Sequence, residues 1–472
     1  VHAFYVPIRG ENGFLPGVGG EDDGLKGGLN GIDNGRLHFD GVRVPRENLL
    51  NRYGDVDENG DYTSPIDSPG RRFFTMIGTL VQGRVSLDGS SVVASKLALT
   101  IAITYATQRR QFSSVGDDEV VLLDYQRHQR RLFPRLAQTY AMSFAHETFL
   151  TAFDGVFSGA HDTDDDRQDL ETIAAALKPL STWAALDILQ EAREACGGAG
   201  FLAQNRFTQL RADMDIYVTF EGDNNVLLQL VAKRLLTDYA KRFKNADAAA
   251  IARFIAGNVG ESAFNRSGLR QVTQRVADFG STARSVGYVR DEASQRQLLT
   301  DRVETMVAAL ATRLRAATKL SEAAAADLFN ANQNELIEAA RAHGELLQWE
   351  SFTEALTKVT DANTKQVLTW LRDLFGLGLI EQHLSWYLIN GRLSANRAQA
   401  ITDYIDDRLL PRLRPHALDL VDAFGFAPEH LRAEIATGNE QLRQDDARAY
   451  YDDLRESGTA PVHEKTLKAN KR

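Results

Sequence analysis

The 472 residues, 43% hydrophobic and 25% charged, suffice for two or three domains with sizeable cores. A net charge of −10 with no long basic run argues against nucleic acid or an anionic membrane as the main partner, while leaving room for a local basic pocket. One cysteine, Cys196, excludes a disulfide framework and any multi-cysteine metal site and points to a reducing cytoplasm, and no apolar run reads as a membrane span.

In chain order, residues 1 to about 55 form the only β-rich part. Ala3–Ile8, Arg36–Phe39 and Val42–Val44 read as short strands between Gly, Asn and Asp clusters. Gly17–Gly31 has no Gly-Lys-Ser/Thr, so turns and loop are expected there and not a phosphate-cradling loop. The chain opens on Val1 beside a strand-like run, which is read as the loss of an N-terminal portion. Asp55–Asp61 matches early positions of a calcium-binding loop, but Ile66 stands where a bidentate Glu is needed; a solvated turn is expected.

From Arg71 the pattern is helical. Phe73–Arg109 and 124–157 read as long helices, the acidic run His161–Asp166 as a connecting loop, and Leu170–Ala195 as a helix broken at Gly197-Gly-Ala-Gly200. Val226–Lys244 is helical, with Asp223 or Asn224 at its N-cap. Asn245–Arg253 is the candidate boundary. Beyond it lie amphipathic segments at 268–290, 293–318, 320–344, 346–377, 379–390, 394–410 and 412–424, with Trp349, Trp370 and Trp386 expected in the core. The fold expected is mainly α: the remnant of a small β-barrel-like domain (1–68), then two helical bundles (69–246 and 247–472).

No two histidines lie close enough for a helical metal pair, so no metal site is expected, and no Gly-x-Ser-x-Gly elbow occurs. Three features remain. Tyr105–Phe112 ends a long helix with two guanidiniums, an amide and a ring, suited to phosphate and a planar ligand, or to the helix dipole. Glu194–Phe201 carries glycines that admit close backbone approach, or simply end a helix. Glu221 sits between aromatic and β-branched residues (Tyr217–Phe220) and a helix start. Burial there raises a carboxyl's pKa and the helix dipole lowers it, which suits a general base; the plain alternative is an ordinary acid in a loop.

Together and in this order, these features resemble the acyl-CoA dehydrogenase and oxidase superfamily, and acyl-CoA oxidases in particular. Asp33–Leu49 is similar to the end of that family's middle β-domain, Arg109-Arg-Gln-Phe112 to its flavin-pyrophosphate segment, and Asp124-Tyr-Gln126 to a following flavin contact. Cys196-Gly-Gly-Ala-Gly200 resembles its glycine turn, Phe220-Glu-Gly-Asp-Asn224 its catalytic-glutamate motif, and Arg414–Gly425 an oxidase feature of the extra bundle from about 250 to 456. The resemblance implies FAD-dependent oxidation of a fatty acyl-CoA to a trans-2-enoyl-CoA, with O2 reduced to H2O2. Glu221 would be the base; Arg109, Gln111, Phe112 and Gln126 would hold FAD, with Gly197, Gly198, Asp223 and Asn224 nearby, partly across a homodimer interface. Arg84 falls where the family places a substrate-side arginine, or makes a helix-surface salt bridge. Glu194, where dehydrogenases carry Gln, favours oxidase. The family's first helical domain and the first half of its β-domain have no counterpart. The alternatives are a dehydrogenase passing electrons to a carrier flavoprotein, and an inactive helical scaffold. The end Lys468–Arg472 is not a peroxisomal address, so cytoplasm of a bacterial type is expected.

Overall fold

The computed structural model describes residues 2–76, 78–112, 119–244 and 287–459. The candidate boundary at 245–253 and the segment from 268 to 286 lie outside the described residues.

Three antiparallel pairs make up the β part: β1 (Arg9–Gly10) with β2 (Gly13–Phe14), β3 (Val18–Asp22) with β4 (Gly35–Phe39), and β5 (Asp55–Val56) with β6 (Tyr62–Thr63). Arg36–Phe39 is a strand as expected. Part of the glycine-rich loop is also a strand, β3, in register from Val18↔Phe39 to Asp22↔Gly35. Its glycines allow this: a Cβ on Gly20 would stand 2.6 Å from the Phe14 ring. Ala3–Ile8 makes only an isolated bridge, Phe4 to Leu49, and Pro7 has no N–H for a ladder. Val42–Val44 is irregular and runs into Pro45. At the Asp55–Asp61 turn, the Asp57 carboxylate accepts from the Asn59 and Asp61 amides, both at 2.9 Å.

The helices follow: α1 (Pro69–Met76), α2 (Leu80–Gln108), α3 (Gln126–Phe157), α4 (Asp164–Ala195), α5 (Phe207–Asp215) and α6 (Asn224–Lys244). The single helix expected over Phe73–Arg109 is two, parted near Gly78, a poor helix former. The acidic run is not all loop. Thr163 and Asp166 form a reciprocal capping box, so α4 begins at Asp164 with three carboxylates at its positive end.

Helix α2 is the axis of the molecule. It is long and apolar enough by composition to cross a membrane, contrary to the sequence reading, yet 72% of that window is buried inside the protein. Ala98, Leu99, Ile101, Ala102 and Ile103 are fully buried among α3 and α4. Ser91 and Ser95 sit in the same core because their hydroxyls donate to the carbonyls one turn back, at 2.8 Å each.

The second half comprises α7 (Glu292–Leu314), α8 (Glu322–Asn330), α9 (Gln333–Lys358), α10 (Ala362–Gln382), α11 (Leu384–Ile389), α12 (Ala395–Tyr404), α13 (Leu410–Leu413), α14 (Ala417–Asp422), α15 (Pro428–Leu431) and α16 (Asn439–Glu456). A π-helical turn, Ile405–Leu409, joins α12 to α13. The break expected near 345 lies instead at Val359–Asp361, where the Asp361 carboxylate caps α10 by accepting from the Thr364 amide at 2.7 Å. Trp349 is fully buried, with Trp370 and Trp386 packed around the same core. Helices on both sides of residue 247 share that core: Leu99, Phe133 and Ile188 belong to one apolar cluster with Phe352, Leu371 and Leu413.

Candidate active site

The Glu221 turn is built from three helices. A 3-10 turn, Ile216–Val218, leads into it, and α6 leaves from it with Asp223 accepting from the Asn225 amide at 2.9 Å. Glu221 has φ +56° and Gly222 φ +104°. Left-handed backbone costs a non-glycine residue about 1–2 kcal/mol, and such strain concentrates at functional sites. Two cations hold the turn. Arg84 Nε of α2 donates to the Glu221 carbonyl at 3.2 Å, and Lys178 Nζ of α4 donates to the Gly222 carbonyl at 2.8 Å.

The Glu221 side chain is exposed, and its carboxylate lies over Gly83. A Cβ there would stand 2.7 Å from Cδ and from Oε2. Glycine at 83 is therefore the floor of the carboxylate. Tyr217 and Phe220 pack at a tilt beside the turn, ring centroids 5.1 Å apart, but leave Glu221 open. The enclosing hydrophobic wall that the sequence led us to expect does not form from these residues.

Asn224 turns away from the surface. It is 1% exposed, its Oδ1 accepts from Lys178 Nζ at 2.9 Å, and its Nδ2 donates to Thr182 Oγ1 at 3.0 Å. Arg84 is occupied as well. Burial lowers its pKa, and the nearby charges of Glu171 and Glu221 oppose that shift. It is thus a strut of the turn as much as a surface group.

The second constellation lies at the other end of α2. Gly83 is in the first turn and Arg109 just past the last; at about 1.5 Å per residue this 29-residue helix puts them about 40 Å apart. Beyond α2 the chain runs antiparallel to itself: Gln111 N donates to Val120 O at 2.9 Å and Val120 N to Phe112 O at 2.8 Å. Tyr125 Oη donates to the Gln111 carbonyl at 2.8 Å. Phe112, at φ +59°, is 68% exposed. Arg109 pairs with the buried Glu440 of α16 at 3.5 Å and remains partly exposed. Gln126 is directed elsewhere, its amide donating to the Asp406 carbonyl in the π turn at 2.8 Å.

The glycine turn lies at this same end, because the Tyr105 phenol, pushed up to about 12 by burial and by Glu440, is within electrostatic reach of both Arg109 and Cys196. Gly197 is left-handed, and nothing stands within 4 Å of a Cβ at Gly197 or Gly198. Gly200 is different: its Cβ would meet the Arg193 carbonyl at 2.0 Å, so it is a packing glycine. The structure therefore gathers Arg109, Gln111, Phe112, Gly197 and Gly198 at one end of α2, and Arg84, Glu221, Asp223 and Asn224 at the other.

Two groups escaped the sequence reading. Lys178 is fully buried, and burial pulls its pKa down to about 8. A lysine inside the apolar run Ala174–Leu180 was a visible signal. The second is Asp88, 1% exposed, which accepts from Ser181 Oγ and pairs with His146 Nδ1 at 2.7 Å, tying α2, α3 and α4 together one turn below Arg84. Nothing in sequence spacing brings those three together.

Comparison with known proteins gives the family of the chain. The family model described as "Acyl-CoA oxidase, C-alpha1 domain" matches residues 77–236, and that described as "Acyl-CoA oxidase" matches 293–439. The chain is 37% identical to acyl-coenzyme A oxidase 2, peroxisomal, of Arabidopsis thaliana, over 94% of this chain and 62% of that protein. It is 33% identical to the acyl-coenzyme A oxidase-like protein of Mus musculus, over 92% and 66%. The structure of Arabidopsis thaliana acyl-CoA oxidase 1 superposes with a TM-score of 0.78 at 27% identity, covering 98% of this chain and 67% of that one. The chain thus spans about three-fifths of the length of the first curated relatives it matches. The cytoplasmic expectation is corrected: relatives from Arabidopsis thaliana and Homo sapiens are named peroxisomal. With the family models, the relatives and the fold in agreement, this chain belongs to the acyl-CoA oxidase family.

Proposed function

We propose that this chain carries the catalytic base and part of the flavin site of an FAD-dependent acyl-CoA oxidase. Glu221 takes the α-proton of a fatty acyl-CoA thioester. The observation that carries this is the Glu221 turn, a strained backbone held by two cations that leaves its exposed carboxylate over a glycine floor. A base held in one orientation on rigid helices is what proton abstraction needs. Arg84 and Lys178 stabilise the turn without competing for the carboxylate in hydrogen bonding, since each donates to a backbone carbonyl.

The donor set at the far end of α2 fits FAD. Arg109 offers a partly exposed guanidinium for the pyrophosphate, Phe112 an exposed ring, and Gly197 and Gly198 open backbone that a Cβ would obstruct. Gln111 lies in the same segment, whereas Gln126 and Asn224 support the site through Asp406, Lys178 and Thr182. Bound FAD supplies the hydride acceptor and, after reduction, the electrons for O2. The separation of about 40 Å between Glu221 and Arg109 favours a homodimer in which one subunit lends Arg109 to its partner's site. Membership of the oxidase family supports O2, yielding H2O2, over a carrier flavoprotein as acceptor, and the peroxisomal relatives support that organelle as the compartment.

The test is peroxide formation from an acyl-CoA in air by FAD-loaded protein. Glu221→Gln should abolish it while leaving bound FAD unchanged; turnover retained at the parent rate would reject the assignment.

A further inference from the structure

We infer that the segment His430–Gln444 is a clamp that sets the spacing between Arg109 and the glycine turn, with Glu440 as the positioning residue of Arg109. The inference rests on the reading of Arg109 as a ligand of the flavin pyrophosphate. On the side of the glycine turn, Arg206 stands at φ +70°, and its Nη1 donates to the carbonyls of His430 and Leu431 at 2.7 Å each. Asn205 is fully buried. Its Nδ2 donates to the Ala199 carbonyl, inside the glycine turn, at 2.9 Å, and its Oδ1 accepts from the Ile435 amide at 3.4 Å. Gln204 Nε2 donates to Glu434 Oε2 at 2.8 Å. Three consecutive residues thus bind one stretch that lies 224 to 230 residues further along the chain.

That stretch is itself anchored, because Leu431, Ala433 and Ile435 are buried in the main apolar cluster. From Glu434 the polar contacts continue to Arg109. Arg443 Nη2 lies 3.5 Å from Glu434 Oε2, and its Nη1 lies 3.7 Å from Glu440 Oε2. Gln444 Nε2 donates to Glu440 Oε1 at 2.7 Å, and that same oxygen lies 3.5 Å from Arg109 Nη1. One path of polar contacts therefore joins the glycine turn to Arg109 by way of α16.

Burial decides what Glu440 does in this path. It is 2% exposed, whereas the Arg109 side chain is 42% exposed. A carboxylate withdrawn from water persists only with donors around it, and here Arg109, Arg443 and Gln444 supply them. Arg109 is gripped from its inner side, which leaves its outward N–H groups for an anion. Because Glu440 is shared between two arginines, it orders Arg109 without cancelling its charge. A guanidinium ordered beforehand loses less rotamer freedom when the anion binds.

Glu440→Gln keeps the shape and the acceptor for Gln444 and removes the charge that holds Arg109. The affinity of the full chain for FAD is read from the change in flavin fluorescence, beside riboflavin, which carries no phosphate. FAD should bind about three- to tenfold more weakly, the factor for ordering one long side chain on binding. Riboflavin should be unaffected, and Glu440→Gln should cost nothing more in an Arg109→Ala background. Tighter FAD, an equal loss for riboflavin, or a loss that persists in Arg109→Ala would overturn the inference.

The positioning is also read with no flavin present. 15N relaxation of the arginine Nε–H groups, with Arg109 assigned by the signal lost in Arg109→Ala, should show Arg109 ordered in the wild-type chain and mobile in Glu440→Gln. A freely moving Arg109 Nε in wild type overturns the clamp even if Glu440→Gln does not fold. FAD affinity unchanged by Arg109→Ala would instead remove the flavin role of Arg109, and the relaxation measurement would still decide whether Glu440 orders it.

Discussion

At Glu221 the backbone is left-handed, a conformation that glycine adopts without penalty. Glu221→Gly should therefore stabilise the protein by about 1 kcal/mol, less the entropy that glycine adds to the unfolded chain, while turnover is lost. Urea unfolding beside a peroxide assay checks both halves, and a destabilised variant would show that the turn is not strained. Lys178 gives a pH signature. Its folded pKa, about 8, lies below the ordinary lysine value of 10.5, so between these pH values the unfolded chain binds more protons and stability rises with pH. Wild type should gain stability relative to Lys178→Gln from pH 8 to 10.5, by a few kcal/mol at most, and show a constant difference below pH 7. Of these residues, the sequence displayed Glu221 and its helix cap plainly. It did not display that Asn224 faces inward, because inward and outward faces of a first helical turn depend on which helix packs beneath it. Here that helix is α4, 42 to 46 residues earlier in the chain, as the Lys178 and Thr182 bonds to Asn224 show.

Helix α2 sets the distance between the two halves of the site and supplies the floor of one. Gly83→Ala adds a methyl group 2.7 Å from the Glu221 carboxylate, the free end of an exposed side chain that can swing aside. The fold should be unharmed, and helix propensity should add up to about 1 kcal/mol. The catalytic rate should nonetheless fall about tenfold or more, since misplacing a reacting group is costly. A melting curve that drops with the rate would mean that Gly83 is a packing residue only. Gly200→Ala is the converse: its Cβ would stand 2.0 Å from a backbone carbonyl, which cannot move away, so loss of stability should accompany any loss of flavin. The helical nature of this region was legible because apolar residues recur at helical spacing over long stretches. The ends were less so. Thr163–Asp166 and Asp361–Thr364 are caps whose polar side chains look like loop until their hydrogen bonds are seen. The strand Val18–Asp22 was hidden by glycines, which signal turns in isolation but here make room for Phe14.

For the whole molecule, the separation along α2 has a consequence that a single chain cannot meet. If Arg109 serves the flavin next to a partner's Glu221, subunits carrying Glu221→Gln and subunits carrying Arg109→Ala should complement each other. Each mixed dimer would hold one site with both defects and one with neither, so random mixing should restore about a quarter of wild-type turnover from two inactive parents. No recovery after verified subunit exchange would place both residues at the same subunit's site. The family resemblance was legible from six short motifs in order, and the compartment was not, because cysteine content and charge describe a redox environment and not an organelle. The most direct test of the account is the anaerobic addition of an acyl-CoA to the FAD-loaded protein, with the visible flavin band followed in wild type and in Glu221→Gln. The account predicts rapid bleaching in wild type and a flavin band that persists in Glu221→Gln; bleaching at the same rate in both would contradict it.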